Sequence, residues 1–401
     1  MIKFALIKER KSPPDRRVVF SPEKLKEVVQ KFPEASFKIE ASDIRIFSDQ
    51  EYRDAGFEVV EDVSDCDVML GVKEVPLPYL IPDKKYFFFS HTIKKQHYNR
   101  DLLREVVSKH IELYDHEVVV KKNGHRLIGF GRYAGLVGAY NCFRALGVQN
   151  NLYILPKAKD LPDLNALLSA LEKTKVPNLK FVLTGSGKVA HGAKEILDHL
   201  KIKQVSTEHY LNDKFIEPVY CLIDVLDYNA HKENKNTTNL HFYKNSEEYR
   251  SDFMKFAKVS DVFIAGHFYG DGAPVFFDKQ QAASKDFNIK LIADISCDIK
   301  EPIASTIRPS TIAEPFYGYD PENGKEVDFK DKNAIMVMAV DNLPCELPRD
   351  ASEGFGEMFL DKVIPSFFNG DKNGILERAR MTQNGNLTER FEYLQDFLDG
   401  K

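Results

Sequence analysis

Three short apolar runs in the first third of the chain end in groups that can move protons. Asp67 to Val72 runs into Lys73-Glu74-Val75-Pro76, Tyr86 to Ser90 into His91-Thr92-Ile93-Lys94, and Ile111 to Tyr114 into Asp115-His116-Glu117. Runs of this kind predict strands, and the C-terminal strand ends of an open parallel α/β sheet form the edge where ligands bind. A lysine and a histidine on one rim suit redox chemistry at an amine–carbonyl junction. One group takes a proton from nitrogen as hydride leaves carbon, and the other moves protons on and off the oxygen of a carbinolamine. A nearby cation helps create a neutral Lys73, whereas Glu74 and Glu117 oppose excessive depression. Arg17, Lys94 and Arg126 could bind substrate carboxylates, for which a guanidinium offers a bidentate fork. Taken singly, each of these side chains reads more simply as a charge meeting water at a strand end, and Arg16-Arg17 as an exposed basic pair. Three strand ends on one rim shift that balance.

A second signal follows the expected strand at Phe181 to Thr184. The run GSGKVAHGAKEIL places Gly185, Gly187 and Ala190 at the GxGxxA spacing, with Gly192 two residues on and an amphipathic helix behind. Small residues let the backbone approach a pyrophosphate, whose charge the free N–H groups and the helix N-terminus stabilise. Glycine turns between strand and helix also occur for packing alone, so the context of strand, turn and helix carries the dinucleotide reading. An NAD site places an acid at the end of the next strand, expected here over Lys201 to Thr207, yet no acid precedes Glu208. Lys201 and Lys203 lie nearby, which favours NADP over NAD unless both are simply solvated.

These groups need a scaffold. Lys3 to Ile7 and Phe37 to Ile39 read as strands and Pro22 to Phe32 as a helix with Ser21 as N-cap, so β/α alternation predicts a parallel sheet covered by helices. Gly131 to Gly147 carries Ala134, Gly135, Gly138 and Ala139 and reads as a closely packed crossover helix into a second domain. Further strands are expected at Val262 to Ala265, Leu291 to Ile295 and Ala334 to Val340. Asp224 to Ser260, rich in Asn and Lys, reads as a loop excursion. After Val340 come a turn, a helix over Pro348 to Leu360 and a polar tail.

Composition sets the outer limits. With 401 residues, 43% apolar and 29% charged, the chain should form two folded domains. A net charge of -5 lacks the footprint of a nucleic-acid binder. The apolar stretches are too short for a membrane span, and Met1 to Arg10 does not make a signal peptide, so a cytoplasmic location is expected. Five scattered cysteines suit neither a disulfide framework nor a zinc site, and the sequons at Asn236 and Asn386 are discounted.

The runs GVKEVP (Gly71 to Pro76), FFSHTIKKQ (Phe88 to Gln96), LYDHE (Leu113 to Glu117), GFGRYAGLVG (Gly129 to Gly138), LTGSGKVAHGA (Leu183 to Ala193), ADISCD (Ala293 to Asp298) and VDNLPCELPRDAS (Val340 to Ser352) occur in that order, after DRRVVFSP (Asp15 to Pro22). Together they resemble the lysine-forming saccharopine dehydrogenases, most closely the lysine-ketoglutarate reductase half of the aminoadipic semialdehyde synthases. The resemblance implies the alanine dehydrogenase and transhydrogenase fold: α/β, with two Rossmann-like domains, parallel sheets and an interdomain active-site cleft. It assigns residues 1–130 with 341–401 to substrate and catalysis, and residues 131–340 to the dinucleotide. Lys73 then resembles the family's base and His91 its acid, with Glu74 and Glu117 as charge-tuning neighbours. Arg17, Lys94, Gln96, Arg126 and Phe130 fall where saccharopine is held. Gly185, Gly187, Lys188, Asp294 and Ser296 fall along the cofactor, NADP or NAD, with Gly266 and His267 on a loop close by. Two positions depart from the relatives: His125-Arg126 replaces an arginine pair, and His267 replaces a small residue. No second dehydrogenase domain follows Lys401, so a monofunctional enzyme is expected. Its partners would be an amino acid and a 2-oxo acid, with a homo-oligomer allowed and neither nucleic acid nor membrane. The rivals are an alanine dehydrogenase or another opine dehydrogenase on the same fold, and a binding protein that kept the fold without the chemistry.

Overall fold

The computed structural model describes residues 1–270 and 272–401, which form two compact units, residues 1–130 with 348–401 and residues 131–347. In the first, β1 (Ile2–Leu6), β2 (Ala35–Glu40), β3 (Glu58–Val60), β4 (Val68–Lys73), β5 (Lys85–Phe89) and β6 (Glu112–Asp115) make one sheet in the order β3-β2-β1-β4-β5-β6. Each neighbouring pair is parallel. The central strands are apolar throughout because both faces are covered, and Phe4, Leu6, Met69, Leu70, Phe87 and Phe88 are all buried. Helix α1 (Pro22–Lys31) begins where Ser21 accepts the Lys24 N–H, with a proline at a position whose own N–H would be unpaired. Helices α2 (Asp49–Asp54) and α3 (Arg100–Ser108) follow, and Pro348–Lys362 returns to this unit with Phe355 and Phe359 packed on the His116 ring.

Strand β4 carries one irregularity. Leu70 pairs with Phe87 and Lys73 with Phe89, so Gly71 and Val72 together face the single residue Phe88. Such a bulge bends the strand and re-aims the side chain beyond it, here Lys73.

The segment after the Pro348 helix is not a polar tail. Thr382 Oγ1 donates to Ile111 O and accepts the Leu113 N–H, while Met381, Phe391, Leu394 and Phe397 are buried. Its apolar residues are too widely spaced to form a run, and they dock one by one.

The second unit opens with α4 (Gly131–Gln149) and α5 (Leu164–Leu171), then β7 (Lys180–Thr184), α6 (Lys188–His199), β8 (Lys203–Gln204) and β9 (Val219–Ile223). A hairpin of β10 (Asn229–His231) and β11 (Tyr249–Ser251) precedes β12 (Val262–Ala265), β13 (Leu291–Asp294), β14 (Phe316–Asp320), β15 (Lys325–Val327) and β16 (Ile335–Met338). The main sheet runs β15-β14-β16-β13-β12-β7-β9-β8. It is mixed rather than wholly parallel, since β14 and β15 run antiparallel at one edge. The Asp224 to Ser260 stretch is no open loop. It folds as the hairpin and short helices, and its Tyr228, Phe242, Tyr249, Phe253 and Phe256 join the core. Residues 341–347 stay with this unit because Glu346 accepts a 2.8 Å bond from Asn141 on α4, so the return falls at Pro348. No helix among the described residues is long and apolar enough to cross a membrane, and all five cysteines are free thiols.

Candidate active site

In the first unit, β4, β5 and β6 deliver Lys73, His91 and Glu117 to one sheet edge. His91 sits at φ 54°, a left-handed conformation uncommon outside glycine, which generally marks a constrained turn. Asp115 supplies the constraint: its Oδ2 accepts the Ser90 N–H at 3.0 Å, the Ser90 hydroxyl and the His91 N–H at 3.1 Å. Its Oδ1 accepts the Glu117 N–H at 2.7 Å. One buried carboxylate thus sets both the histidine and the acid facing it.

His91 Nδ1 lies 3.2 Å from Glu117 Oε2, while Lys94 Nζ and Arg126 approach Glu117 Oε1 at 3.9 and 3.5 Å. Burial opposes ionisation of Glu117, but His91, Lys94 and Arg126 outweigh it and hold the carboxyl down to about 2. The carboxylate is therefore charged at neutral pH and faces Nδ1 of the His91 ring.

The remaining expected site residues are distributed unevenly. Arg17 is buried and forms a two-point pair with Asp15, at 3.0 and 2.6 Å, while its guanidinium lies 4.2 Å over the Phe130 ring. Phe130 in turn stacks on Phe355 at 4.6 Å. Of the basic pair, only Arg16 is exposed. Glu74 pairs with Lys11, and Gln96 is engaged by the Tyr98 hydroxyl.

Two buried acids here, Glu9 and Asp15, are not among the residues expected from sequence, and Asp115, named at its strand end, had no role assigned to it. Glu9 is 6% exposed, and its two oxygens accept the N–H groups of Val72 and Lys73 at 2.6 and 2.9 Å. Asp15, despite its burial, is held down to about 2 by Arg17. Glu9 and Asp15 flank a break after β1 where no run or motif draws attention. The pattern of an acid beside a basic pair was the available signal for Asp15.

In the second unit the glycine turn joins β7 to α6. Gly185 has φ 102°, and a Cβ there would lie 2.6 Å from Gly266 O. Gly187 is the N-cap of α6 with open space where a Cβ would stand and no side-chain cap. That leaves a helix N-terminus and its N–H groups facing a small-residue cradle, and Lys188 is exposed at the first helical position, an arrangement that fits a pyrophosphate. Gly135 on α4 and Gly192 on α6 serve the packing of these two helices, with Val189 O and Arg132 O about where each Cβ would be.

The stretch Lys201 to Thr207 does not lead to the strand beside β7. β8 is the sheet edge, and β7 lies between β12 and β9. Asp224 follows β9 directly, and Gly185 N–H donates to Ile223 O at 2.9 Å, tying the glycine turn to that strand end. An acid therefore stands at the ribose position of the fold. Asp224 also caps a short helix and accepts 2.7 Å from Asn239, whose helix, Asn239–Lys244, brings Tyr243 to Ser186 of the turn.

Two residues expected along the cofactor are committed to structure. His267 is buried with Nδ1 2.8 Å from Thr184 Oγ1 and its ring against Phe276, and burial pushes it down to about 3, so it is neutral. Asp294 is fully buried and accepts from Ser296, Cys297 and Thr306. It shapes the loop after β13, and Ser296 turns its hydroxyl to that carboxylate. Gly266, with a Cβ position 3.1 Å from Thr184 O, keeps the loop after β12 close to the glycine turn.

Residues 5–137, which carry the strand ends with Lys73, His91 and Glu117, match the family described as Alanine dehydrogenase/PNT, N-terminal domain. A solved L-alanine dehydrogenase shares the fold at TM-score 0.62 and 16% identity, over 98% of this chain and 99% of that one. More particularly, the homologues of the chain are α-aminoadipic semialdehyde synthases and lysine-forming saccharopine dehydrogenases. The chain is 31% identical to the α-aminoadipic semialdehyde synthase of Arabidopsis thaliana over 89% of its own length, but spans only 37% of that relative. It is 26% identical to the NAD(+), L-lysine-forming saccharopine dehydrogenase of Yarrowia lipolytica, over 84% of this chain and 85% of that one.

Proposed function

We propose that the chain is a nicotinamide-dependent oxidoreductase of the CH–NH class that interconverts saccharopine with L-lysine and 2-oxoglutarate. The observation that carries this is the single sheet edge holding Lys73, the His91–Glu117 pair and the cations Lys94 and Arg126. Three substrate carboxylates call for several cations beside an acid and a base, more than ammonia and pyruvate would need.

Neutral Lys73 takes the proton from the secondary amine as its neighbouring carbon is oxidised. Water adds to the resulting imine, and His91, held by Glu117, moves protons on and off the carbinolamine oxygen until the C–N bond breaks. Lys94 and Arg126 orient substrate carboxylates while screening Glu117. Gly185, Gly187 and the α6 N-terminus would hold the cofactor pyrophosphate and Asp224 the ribose hydroxyls. The nicotinamide, when bound, accepts or supplies the hydride. Asp224 moves the preference from NADP towards NAD, because a carboxylate at that place repels a 2′-phosphate. Five free thiols favour a reducing compartment such as the cytoplasm.

The test is NADH and NADPH oxidation with 2-oxoglutarate plus lysine against pyruvate plus ammonia. Turnover with the first pair and NADH is expected. Turnover only with the second pair would replace this reading by an alanine dehydrogenase, and none with either by a binding protein. Lys73→Met and His91→Gln should each lower kcat by roughly a hundredfold or more with NADH binding unchanged. A variant of normal kcat removes that residue from the mechanism.

A further inference from the structure

The bulge before Lys73 leaves backbone groups without ladder partners at the point where a proton-transfer residue must be held still. β1 has ended at Leu6, and Gly71 and Val72 share one partner residue on β5. An N–H or C=O left unpaired in a buried place costs about 1–3 kcal/mol, so such a strand end would ordinarily straighten or fray. Two side chains from elsewhere in the unit take up the loose groups. Glu9 accepts the Val72 and Lys73 N–H groups with its two oxygens, at 2.6 and 2.9 Å. His116 Nε2 lies 2.9 Å from Gly71 O.

The chemistry of each partner fixes its role. A carbonyl oxygen only accepts, so Nε2 of His116 carries the hydrogen and donates. Burial pushes His116 down to about 4, which keeps it in that neutral form at working pH. Phe87, Phe89, Phe355 and Phe359 surround the ring, with centroids from 4.9 to 6.4 Å away, so it cannot turn without repacking. Glu9 is equally placed: Gly71 comes so near that a Cβ on it would lie 3.0 Å from Ile7 and 3.5 Å from Glu9 Oε1. The hydrogen bonds of both groups go to residues 71–73, and Glu9 also feels the charges of Asp15 and Arg17.

We infer that Glu9 and His116 are positioning residues for Lys73, together replacing the missing strand ladder at the bulge and fixing the direction in which the lysine leaves the sheet. This rests on the reading of Lys73 as the base. Both act through the backbone, and their loss would displace the amine rather than remove it. A displacement of about 1 Å in a reacting group can lower turnover by up to roughly a hundredfold while binding elsewhere is unaffected.

The experiment is steady-state kinetics of the full chain with NADH, lysine and 2-oxoglutarate, on Glu9→Gln, His116→Phe, His116→Gln and Lys73→Met. Glu9→Gln puts an amide donor against one backbone N–H. His116→Phe keeps the packing and deletes the donor, whereas His116→Gln returns an N–H near the Nε2 position. Glu9→Gln and His116→Phe are expected to lower kcat roughly tenfold or more, with KM values within about twofold, and His116→Gln to recover most of the loss. If Glu9→Gln folds poorly, the two His116 variants decide, since equal kcat in both overturns the proposal. It is also overturned if kcat stays at the wild-type value in Glu9→Gln and His116→Phe while Lys73→Met is inactive. An active Lys73→Met would instead overturn the assignment of the base, and this inference with it.

Discussion

The approach of α4 to α6 is close enough to be tested by a single methyl group. An alanine at Gly135 would place its Cβ 2.0 Å from Val189 O, 2.7 Å from Ala193 N and 2.9 Å from Val189 C. All three are backbone atoms of α6, so no side chain can swing aside, and the helices must separate by at least about 1.5 Å to reach ordinary contact. Overpacking of this kind costs about 3 kcal/mol at the upper end of its usual range. Replacing glycine by alanine within a helix regains about 1 kcal/mol. The net loss is about 2 kcal/mol, which lowers Tm by roughly 4–8 °C for a unit of this size. The same displacement moves the α6 N-terminus, so NADH affinity should fall with stability. Thermal unfolding and NADH fluorescence titration of Gly135→Ala measure both. Gly187→Ala is the comparison, because open space surrounds its Cβ position and stability should change little. A Gly135→Ala protein as stable as wild type, with unchanged NADH affinity, would refute the packing argument.

Other outcomes depend on single side chains. His116, pushed down to about 4 by burial, makes the folded state bind a proton less readily than the unfolded chain. Its contribution is complete above about pH 6.5 and lost as pH falls towards 4, amounting to about 2 kcal/mol between pH 7 and 5. Glu9, pushed up to about 8 by burial, acts with the opposite sign, losing stability as pH rises from about 4.5 towards 8. The quantity to compare is therefore the pH slope of urea unfolding in His116→Phe against wild type, and equal slopes would contradict a neutral buried histidine. Glu117→Gln leaves Lys94 and Arg126 facing an amide and should lower kcat about tenfold at unchanged NADH affinity, as stopped-flow and titration would register. Asp224→Ser should weaken NADH and narrow the gap to NADPH, and an unaltered NADH/NADPH ratio in titration would remove Asp224 from the ribose site.

The strands were legible because burial on both faces leaves uninterrupted apolar runs, and their ends placed Lys73, His91 and Glu117 together without further information. The short strands β3 and β8 carry no such run. The edge pair β14 and β15 is antiparallel and half polar, so alternation of β and α elements did not anticipate it. Asp224 was hidden by topology: β8 intervenes in sequence but not in space, and counting from the glycine turn led to lysines on the wrong strand. Glu9, and the role of Asp115 beyond its place at a strand end, were missed for a different reason. They act on backbone N–H groups, and a bond to backbone leaves no signature in the identity of the residue it reaches. The polar Asp224 to Ser260 stretch concealed five core aromatic residues, and the i, i+4, i+7 spacing of Tyr249, Phe253 and Phe256 spans a strand and a short helix rather than one helix.

The bulge at Gly71 and Val72 also works as a counting device. Side chains alternate faces along a strand, so one residue more or fewer before Lys73 would carry its amine to the opposite side of the sheet. A deletion of either residue would leave composition, charge and nearly all of the core intact, yet would carry the Lys73 amine to the other face. On the proposed reading of Lys73, a change of one residue in spacing there is a change in chemistry.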